Sequence, residues 1–189
     1  MRDELETIVS GPSAVASTVA GDLFSVATTL RAEGALRRFA TDASLPAEAK
    51  TGLVEQVFGG KVDAGSITVL QTGVSRRWTA TRDLPDALEH LSVVAAVKSA
   101  GDDAGRLADE LFSFAQVVKD NHPLRDALSE PTRSVDDKAA LVDGLLSGKT
   151  LDATRALVKQ SLSGSYRTVG PPLAEYQKVV ADVHGERVA

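Results

Sequence analysis

Two stretches of this 189-residue chain carry the same pattern of apolar and polar positions, 88 residues apart. In each stretch the apolar residues fall at i, i+4, i+7, i+8 and i+11, which places them along one face of an α-helix. They are Val19, Leu23, Val26, Ala27 and Leu30 in the first stretch and Leu107, Leu111, Phe114, Ala115 and Val118 in the second. The pattern predicts two equivalent amphipathic helices.

The similarity extends well beyond these two helices. Residues 20–78 align with residues 108–166 without a gap, and 13 of the 59 pairs are identical. Both copies close a later predicted helix with a glycine and a lysine, Gly60-Lys61 and Gly148-Lys149. Glycine suits this position because the residue after a helix often takes a left-handed backbone. We therefore interpret the chain as an internal duplication.

Signals for helix starts support a purely helical fold. Ser134 followed by Asp137 resembles a capping box. Asp83 is expected to cap a long helix that begins with Leu84-Pro85, and Pro171-Pro172 is expected to open the last helix. No segment alternates apolar and polar residues for long enough to indicate a strand. The fold class predicted from the sequence is therefore all-α.

The predicted helix at 84–99 lies between the two copies and is apolar on every face around Val93-Val94-Ala95-Ala96-Val97. A helix of this kind is expected to be surrounded by other elements. We expect it to close a first bundle, residues 1–82, and to open a second, residues 83–189. The alternative is that it forms the centre of a single bundle.

Composition and charge narrow the function classes. The chain has no cysteine, which excludes disulfides and thiolate chemistry and favours a reducing compartment. Its net charge is −5 with both signs interspersed, so no basic surface is expected to bind nucleic acid. No uninterrupted apolar run approaches the roughly 18 residues that span a bilayer. We expect a soluble chain that is not exported.

Candidate chemistry is weak throughout. The segment "LLSGKT", residues 145–150, ends like a phosphate-binding loop, but Asp143 stands where the first glycine belongs and a predicted helix precedes it. We interpret this segment as the end of a helix. The three histidines have no metal-ligand spacing, and no serine lies in a nucleophile-elbow context; they are His90, His122 and His184. We predict no catalytic residue, no cofactor and no metal.

Arg76-Arg77-Trp78 is the most prominent surface candidate in the first copy. A tryptophan beside arginines at a helix end is suited to anchoring a partner protein. The same residues also fit a tryptophan at the edge of the core, packed under an arginine side chain. The second interpretation is favoured.

Several longer segments resemble the delta subunit of F-type ATP synthases, the family of the oligomycin-sensitivity conferral protein. The segments that resemble the N-terminal domain of that subunit are "ADELFSFAQVVKDNHPLRDALSEP", "KAALVDGLLSGKTLDATRALVKQSL" and "LAEYQKVV". The segments "AEAKTGLVEQVFGGKV" and "SRRWTATRDLPDALEHL" resemble the actinobacterial form, in which that domain occurs twice. The resemblance covers nearly the whole chain and rests on extended helix patterns.

The resemblance implies two tandem six-helix bundles and a structural task rather than catalysis. In the family, a groove between the first and fifth helices of the bundle receives the N-terminal helix of an alpha subunit. Carried onto the second copy, the groove residues are Leu84, Leu88 and Leu91 in its first helix and Leu157, Val158, Ser161 and Leu162 in its fifth. Ser161 and its counterpart Gly73 are small, which lets another helix approach closely.

The resemblance further implies a peripheral-stalk subunit on the cytoplasmic face of the cell membrane, joined to a b-type subunit through a C-terminal domain. This chain stops at Val188-Ala189, so we expect that attachment to be absent from it. The first helix of copy one is interrupted by Gly11-Pro12, so we expect its groove to be incomplete. A general helical-repeat adaptor that binds another helix or peptide is the alternative function.

Overall fold

The computed structural model describes residues 1–163 and 166–188, with backbone alone for the last two residues of that range. Helices dominate, and this described part contains no β-strand. The all-α prediction is therefore confirmed. The chain divides into two compact units, Met1–Ser99 and Ala100–Ala189, which are taken in turn below.

The first unit contains six helices joined by short connections. They are α1 (Arg2–Val9), α2 (Ser13–Ala32), α3 (Gly34–Thr41), α4 (Ala47–Phe58), α5 (Ala64–Ser75) and α6 (Asp83–Ala100). The predicted interruption near Gly11-Pro12 is confirmed, because α1 ends at Val9 and α2 begins at Ser13. Helix α1 is therefore only two turns long.

The second unit begins with a single 3₁₀ turn, Gly101–Asp103, and continues with helices. They are α7 (Ala104–Asp120), α8 (His122–Ser129), α9 (Val135–Leu146), α10 (Asp152–Ser161) and α11 (Gly170–Val188). Ser134 caps α9 as predicted, since its hydroxyl accepts a hydrogen bond from the Asp137 backbone N–H at 3.0 Å. Pro171-Pro172 lies in the first turn of α11, also as predicted.

Helix boundaries repeat along the chain with the offset read from the sequence. Helices α3 and α8 begin and end 88 residues apart, and so do α4 and α9. The turns that follow α4 and α9 repeat as well, because Gly60 has φ 70° and Gly148 has φ 72°. A side chain at this backbone angle is strained, which is why glycine stands in both copies. The duplication is thus visible in the backbone itself.

The predicted apolar stripes of the two long helices form the core of each unit. On α2 all five stripe residues are buried, and on α7 four are buried while Ala115 is half-buried. The central leucines of the two stripes, Leu23 and Leu111, are both completely enclosed. Burial of one such side chain stabilises the fold by about 1.5–3 kcal/mol.

Helix α6 is buried along its apolar C-terminal half, from Leu91 to Val97. The expectation that its continuous apolar run is surrounded is therefore confirmed. The cap predicted at its start is wrong in detail. Asp83 is the first helical residue, and its carboxylate accepts a hydrogen bond from the backbone N–H of Ala80 in the preceding turn, at 2.9 Å.

The two compact units meet at Ser99 and Ala100, whereas the boundary expected from the repeat lies between residues 82 and 83. Helix α6 lies almost wholly in the first compact unit, and its first turns form ion pairs with Arg31 of α2. The repeat-based boundary, 1–82 and 83–189, stays a prediction, since it concerns how the duplication is divided rather than how the chain is packed.

Helix α2 corrects one sequence-based expectation. By length and composition Ser13–Ala32 meets the criterion for a helix that crosses a membrane, although no segment was expected to. Helix α2 is apolar on average, but polar residues interrupt its sequence, Asp22 and Arg31 among them. It therefore contains no uninterrupted apolar run of that length. Both of these side chains make hydrogen bonds to other helices of the first unit. The core helix of a water-soluble protein can have the same length and composition.

Candidate partner-binding site

The seven residues predicted to form the helix-binding groove lie on α6 and at the end of α10. Six of them are buried, namely Leu84, Leu88, Leu91, Leu157, Val158 and Ser161. Leu162 is half-buried and lies just after the last residue of α10. The groove assignment stays a prediction, and Leu162 is its most accessible member.

Gly73 on α5, the counterpart of Ser161, is approached closely by side chains of this chain itself, so the approach of another helix expected there stays a prediction. A Cβ atom at Gly73 would lie 2.9 Å from Cε of Met1 and 3.2 Å from Cδ1 of Leu84. A second glycine, Gly65, would place its Cβ 2.6 Å from Cγ2 of Ile8. Helix α1 and its N-cap Met1 therefore pack closely against α5 at both glycines.

Trp78 is held at the edge of this packing. Its indole Nε1–H donates a hydrogen bond to the carbonyl oxygen of Gly73 at 2.8 Å, and its ring is half-buried. The neighbouring Arg76 and Arg77 are exposed. Because the indole is bonded to the backbone of its own unit, Trp78 fits the interpretation as a core-edge residue better than that of a partner anchor.

A carboxylate from α2 secures the start of α5. Oδ2 of Asp22 accepts hydrogen bonds from the backbone N–H of Asp63 and from the hydroxyl of Ser66, both at 2.8 Å. Asp63 is the N-cap of α5, and its own carboxylate accepts from the N–H of Gly65 at 2.8 Å. Negative charge is favourable here because the N-terminus of a helix carries partial positive charge.

The second unit repeats this contact with different side chains. Oε2 of Glu110 on α7 accepts a hydrogen bond from the backbone N–H of Leu151 at 2.9 Å and a short one from the hydroxyl of Thr154. All three positions lie 88 residues after their counterparts Asp22, Asp63 and Ser66. We call the two contacts the acid clamps. They extend the duplication from the backbone to individual hydrogen bonds.

Electrostatics around Glu110 favour the ionised carboxylate. Partial burial raises the pKa of Glu110, but the hydrogen bonds from Thr154, Leu151 and Arg106 lower it by more. The pKa of Glu110 therefore lies below its ordinary value. Arg106 contributes through an ion pair from Nε to Oε1 of Glu110 at 2.7 Å. The clamp carboxylate is therefore charged at neutral pH.

The acid clamps were missed by the sequence analysis. Identity between the copies does not reveal them, because aspartate is exchanged for glutamate and serine for threonine. The signal lies in the chemistry that both copies retain, an acid on the long helix and a hydroxyl in the first turn of a later helix. Comparison of side-chain type at matched positions would have found it.

A further polar contact occurs in the first unit alone. Nη2 of Arg31 on α2 donates to Oδ1 of Asp86 at 2.8 Å and to Oε2 of Glu89 at 2.6 Å, both on α6. Burial lowers the pKa of Arg31, but the two carboxylates outweigh this effect and raise it above its ordinary value. The matched positions in the second copy are Lys119, Ala174 and Gln177, which cannot form these ion pairs.

An open cleft of about 500 Å³ lies in the second unit. Its walls come from α7, α8 and α9, and half of the twelve residues that line it are apolar. The described residues contain no group of three or more histidine, aspartate or glutamate side chains placed to hold a metal ion. Gly148 lies in the turn after α9, so "LLSGKT" ends a helix as interpreted.

Comparison with known proteins decides the family. No family model matches the chain. An ATP synthase subunit delta from a Nocardioides species is 53% identical over 174 residues, which cover 92% of this chain and 63% of that protein. The subunit delta of Nocardia farcinica is 34% identical over 191 residues, covering 100% of this chain and 71% of the relative. That of Salinispora arenicola is 37% identical over 192 residues, covering 99% and 70%.

The chain belongs to the ATP synthase subunit delta family. The family expected from the helix patterns is therefore confirmed, and its actinobacterial character agrees with the source organisms of these relatives. The chain spans 63% of the length of the Nocardioides protein, so it matches about two thirds of what that subunit contains. The acid clamps and the cleft are features of this delta-family portion.

Proposed function

We propose that the chain acts as the delta component of the peripheral stalk of an F-type ATP synthase. In this role it holds the stalk to the catalytic head and performs no chemistry of its own. The observation that carries the proposal is the similarity to proteins named ATP synthase subunit delta along 99–100% of this chain. Its place in the cell would be peripheral, at the cytoplasmic face of the membrane that holds the synthase.

The packing of the chain suits a component that must resist torque. Each unit is built from helices with closely packed apolar stripes, and a densely packed interior deforms little under load. The acid clamps add hydrogen bonds between helices that are distant in sequence, 41 and 44 residues apart in both copies. Such links join separate parts of one unit.

Binding to the head would occur through the N-terminal helices of alpha subunits. The residues proposed for this contact follow helical spacing on α6 and, separately, at the end of α10, and receptors commonly bind an amphipathic helix through residues spaced in this way. Duplication would provide two such units, and two linked contacts can bind far more tightly than one when both engage. Attachment to a b-type subunit would use a C-terminal domain of the kind found in the family.

Titration calorimetry with a synthetic peptide of about 20 residues, the N-terminal helix of an alpha subunit, tests this function. We expect saturable binding in the micromolar range, weakened about tenfold by Leu162→Asp. The control variant Leu145→Asp lies in the cleft of the second unit and leaves this affinity unchanged. Absence of binding at high micromolar peptide would contradict the proposal.

The alternative, a general helical-repeat adaptor, predicts a different preference. An adaptor of that kind would bind unrelated amphipathic peptides as tightly as the alpha-subunit peptide.

A nucleotide-binding function is tested by thermal unfolding with ATP and magnesium. A ligand present at 100 times its Kd stabilises a protein by about 2.7 kcal/mol, so an unchanged melting temperature argues against it.

A further inference from the structure

The cleft between α7, α8 and α9 is distinct from the predicted groove on α6 and α10. Phe114 and Val117 form one wall on α7, Leu124 contributes from α8, and α9 supplies the opposite wall with Leu141, Leu145 and Leu146. Two of these side chains reach far into solvent, because Val117 is 51% exposed and Leu145 is 38% exposed. We propose that this cleft is a second docking site, which receives an amphipathic helix with basic residues beside its apolar stripe.

The shape of the cleft favours a helix over a compact small molecule. Along α7 its lining runs from Arg106 to Asn121, which corresponds to about 22 Å at 1.5 Å per residue. A lining that extends this far along one helix can accommodate three to four turns of a partner helix, with apolar side chains at i, i+3 or i+4, and i+7. A small ligand would occupy only part of it.

The charges along the cleft favour a basic partner. Arg106 and Glu110 line the cleft but already form an ion pair with each other, which leaves the exposed carboxylate of Asp109 as the uncompensated charge of the lining. The segment from α7 to α9, residues 104–146, carries eight acidic and five basic side chains, a net charge of −3. A lysine or arginine flanking the apolar stripe of a partner would complement this surface.

The first unit differs from the second at the matched positions. Phe58, the counterpart of Leu146, is larger and buried, and polar Thr29 replaces Val117. The guanidinium of Arg37 donates to the carbonyl oxygens of Leu30 and Arg31 at 2.9 and 2.8 Å, so it closes the end of α2. Its counterpart Arg125 contacts the ring of His122 instead. Two of the six apolar positions of the cleft therefore differ in size or polarity in this way, and both copies are apolar at the other four.

Binding of a designed peptide to the full chain tests this site. The probe is a peptide of about 18 leucine and lysine residues whose leucines share one helical face, and the control probe carries glutamate in place of every lysine. We expect micromolar affinity for the lysine peptide in calorimetry, and at least tenfold weaker binding for the glutamate peptide. Amide shifts in ¹⁵N NMR spectra should map to α7, α8 and α9.

Matched variants separate the cleft from general apolar contact. Val117→Asp and Leu145→Asp should each weaken the lysine peptide at least tenfold, whereas Phe112→Asp, at a residue 57% exposed on another face of α7, should leave the affinity unchanged. Asp109→Lys should weaken binding at low salt, with the difference shrinking as salt rises. Circular dichroism confirms that each variant remains folded, which is expected because all four side chains are exposed.

Three outcomes would overturn the proposal. Equal losses for Phe112→Asp and Val117→Asp would mean that the peptide binds any apolar surface. Equal affinity for the lysine and glutamate peptides would contradict the proposed preference for a basic partner helix. A dimer in sedimentation velocity that Val117→Asp dissociates would make a second copy of this chain the occupant. None of these results bears on the alpha-subunit peptide, which is tested through Leu162.

Discussion

The two copies of the repeat share an internal skeleton and differ in how their helices are joined and covered. Both place an enclosed leucine at the centre of a long helix, Leu23 and Leu111, and both clamp a later helix with a carboxylate. The first unit contains the ion pairs of Arg31, whose matched positions in the other copy cannot form them, and the second unit contains the open cleft beside Val117. Both copies keep the core leucine and the acid clamp, while the ion pairs of Arg31 and at least two of the apolar cleft positions differ between them.

The largest expected effect tests whether the shared cores are equivalent. Leu23→Ala and Leu111→Ala should each destabilise by about 2–5 kcal/mol, because both leucines are fully enclosed and truncation leaves a cavity. Urea unfolding followed by circular dichroism measures both. If one variant costs only a few tenths of a kcal/mol, its leucine is not a core residue and the two units are not built alike.

The ion pairs of Arg31 should separate the copies. Arg31→Met removes one ion-pair partner of Glu89, a mostly buried carboxylate, and we expect a loss of about 1–3 kcal/mol. The matched change in the second copy, Lys119→Met, affects an exposed residue and should cost less than about 0.5 kcal/mol. The same unfolding experiment measures both. Equal effects would show that the ion pairs contribute little to the difference between the units.

The turns after α4 and α9 should respond alike. Gly60→Ala and Gly148→Ala force a side chain into a left-handed backbone, which costs about 1–2 kcal/mol, and at both sites a Cβ atom would meet nothing within 4 Å. The loss therefore reports backbone strain alone. Thermal unfolding checks the pair against Gly144→Ala, a helical glycine with equal space, which should be neutral or stabilising.

Much of the fold was predictable because helical periodicity and helix ends are local features. The stripe from Val19 to Leu30, the break near Gly11 and the cap at Ser134 all follow from a few neighbouring residues. The candidate site was less accessible, because burial depends on which elements meet. The spacing of Leu84, Leu88 and Leu91 identifies an apolar face but does not distinguish core from interface.

The cleft and the acid clamps depend on contacts between residues far apart in sequence. Glu110 accepts a hydrogen bond from Thr154, which lies 44 residues later in the sequence. No local sequence pattern predicts that contact. The cleft is lined by residues of three helices, and its existence is visible only once those helices are packed together. The duplicated sequence nevertheless contains usable information, since matched positions that change size indicate where the two surfaces differ.

The smallest effect concerns pH and tests the second clamp without removing any atom of the core. Since the pKa of Glu110 is lower in the folded protein than its ordinary value, the carboxylate stabilises the fold at pH values above about 4.5. That contribution is lost as the pH falls through the lowered pKa of the folded state.

The variant Glu110→Gln can still accept hydrogen bonds but does not titrate, so the stability of this variant should fall less steeply below pH 4.5. Urea midpoints measured from pH 7 to pH 3 give the slopes, with Glu175→Gln, at an exposed position on α11, as the control. A variant slope equal to that of the unchanged chain would mean that the Thr154 and Leu151 contacts do not depend on the charge, and that the clamp acts by geometry alone.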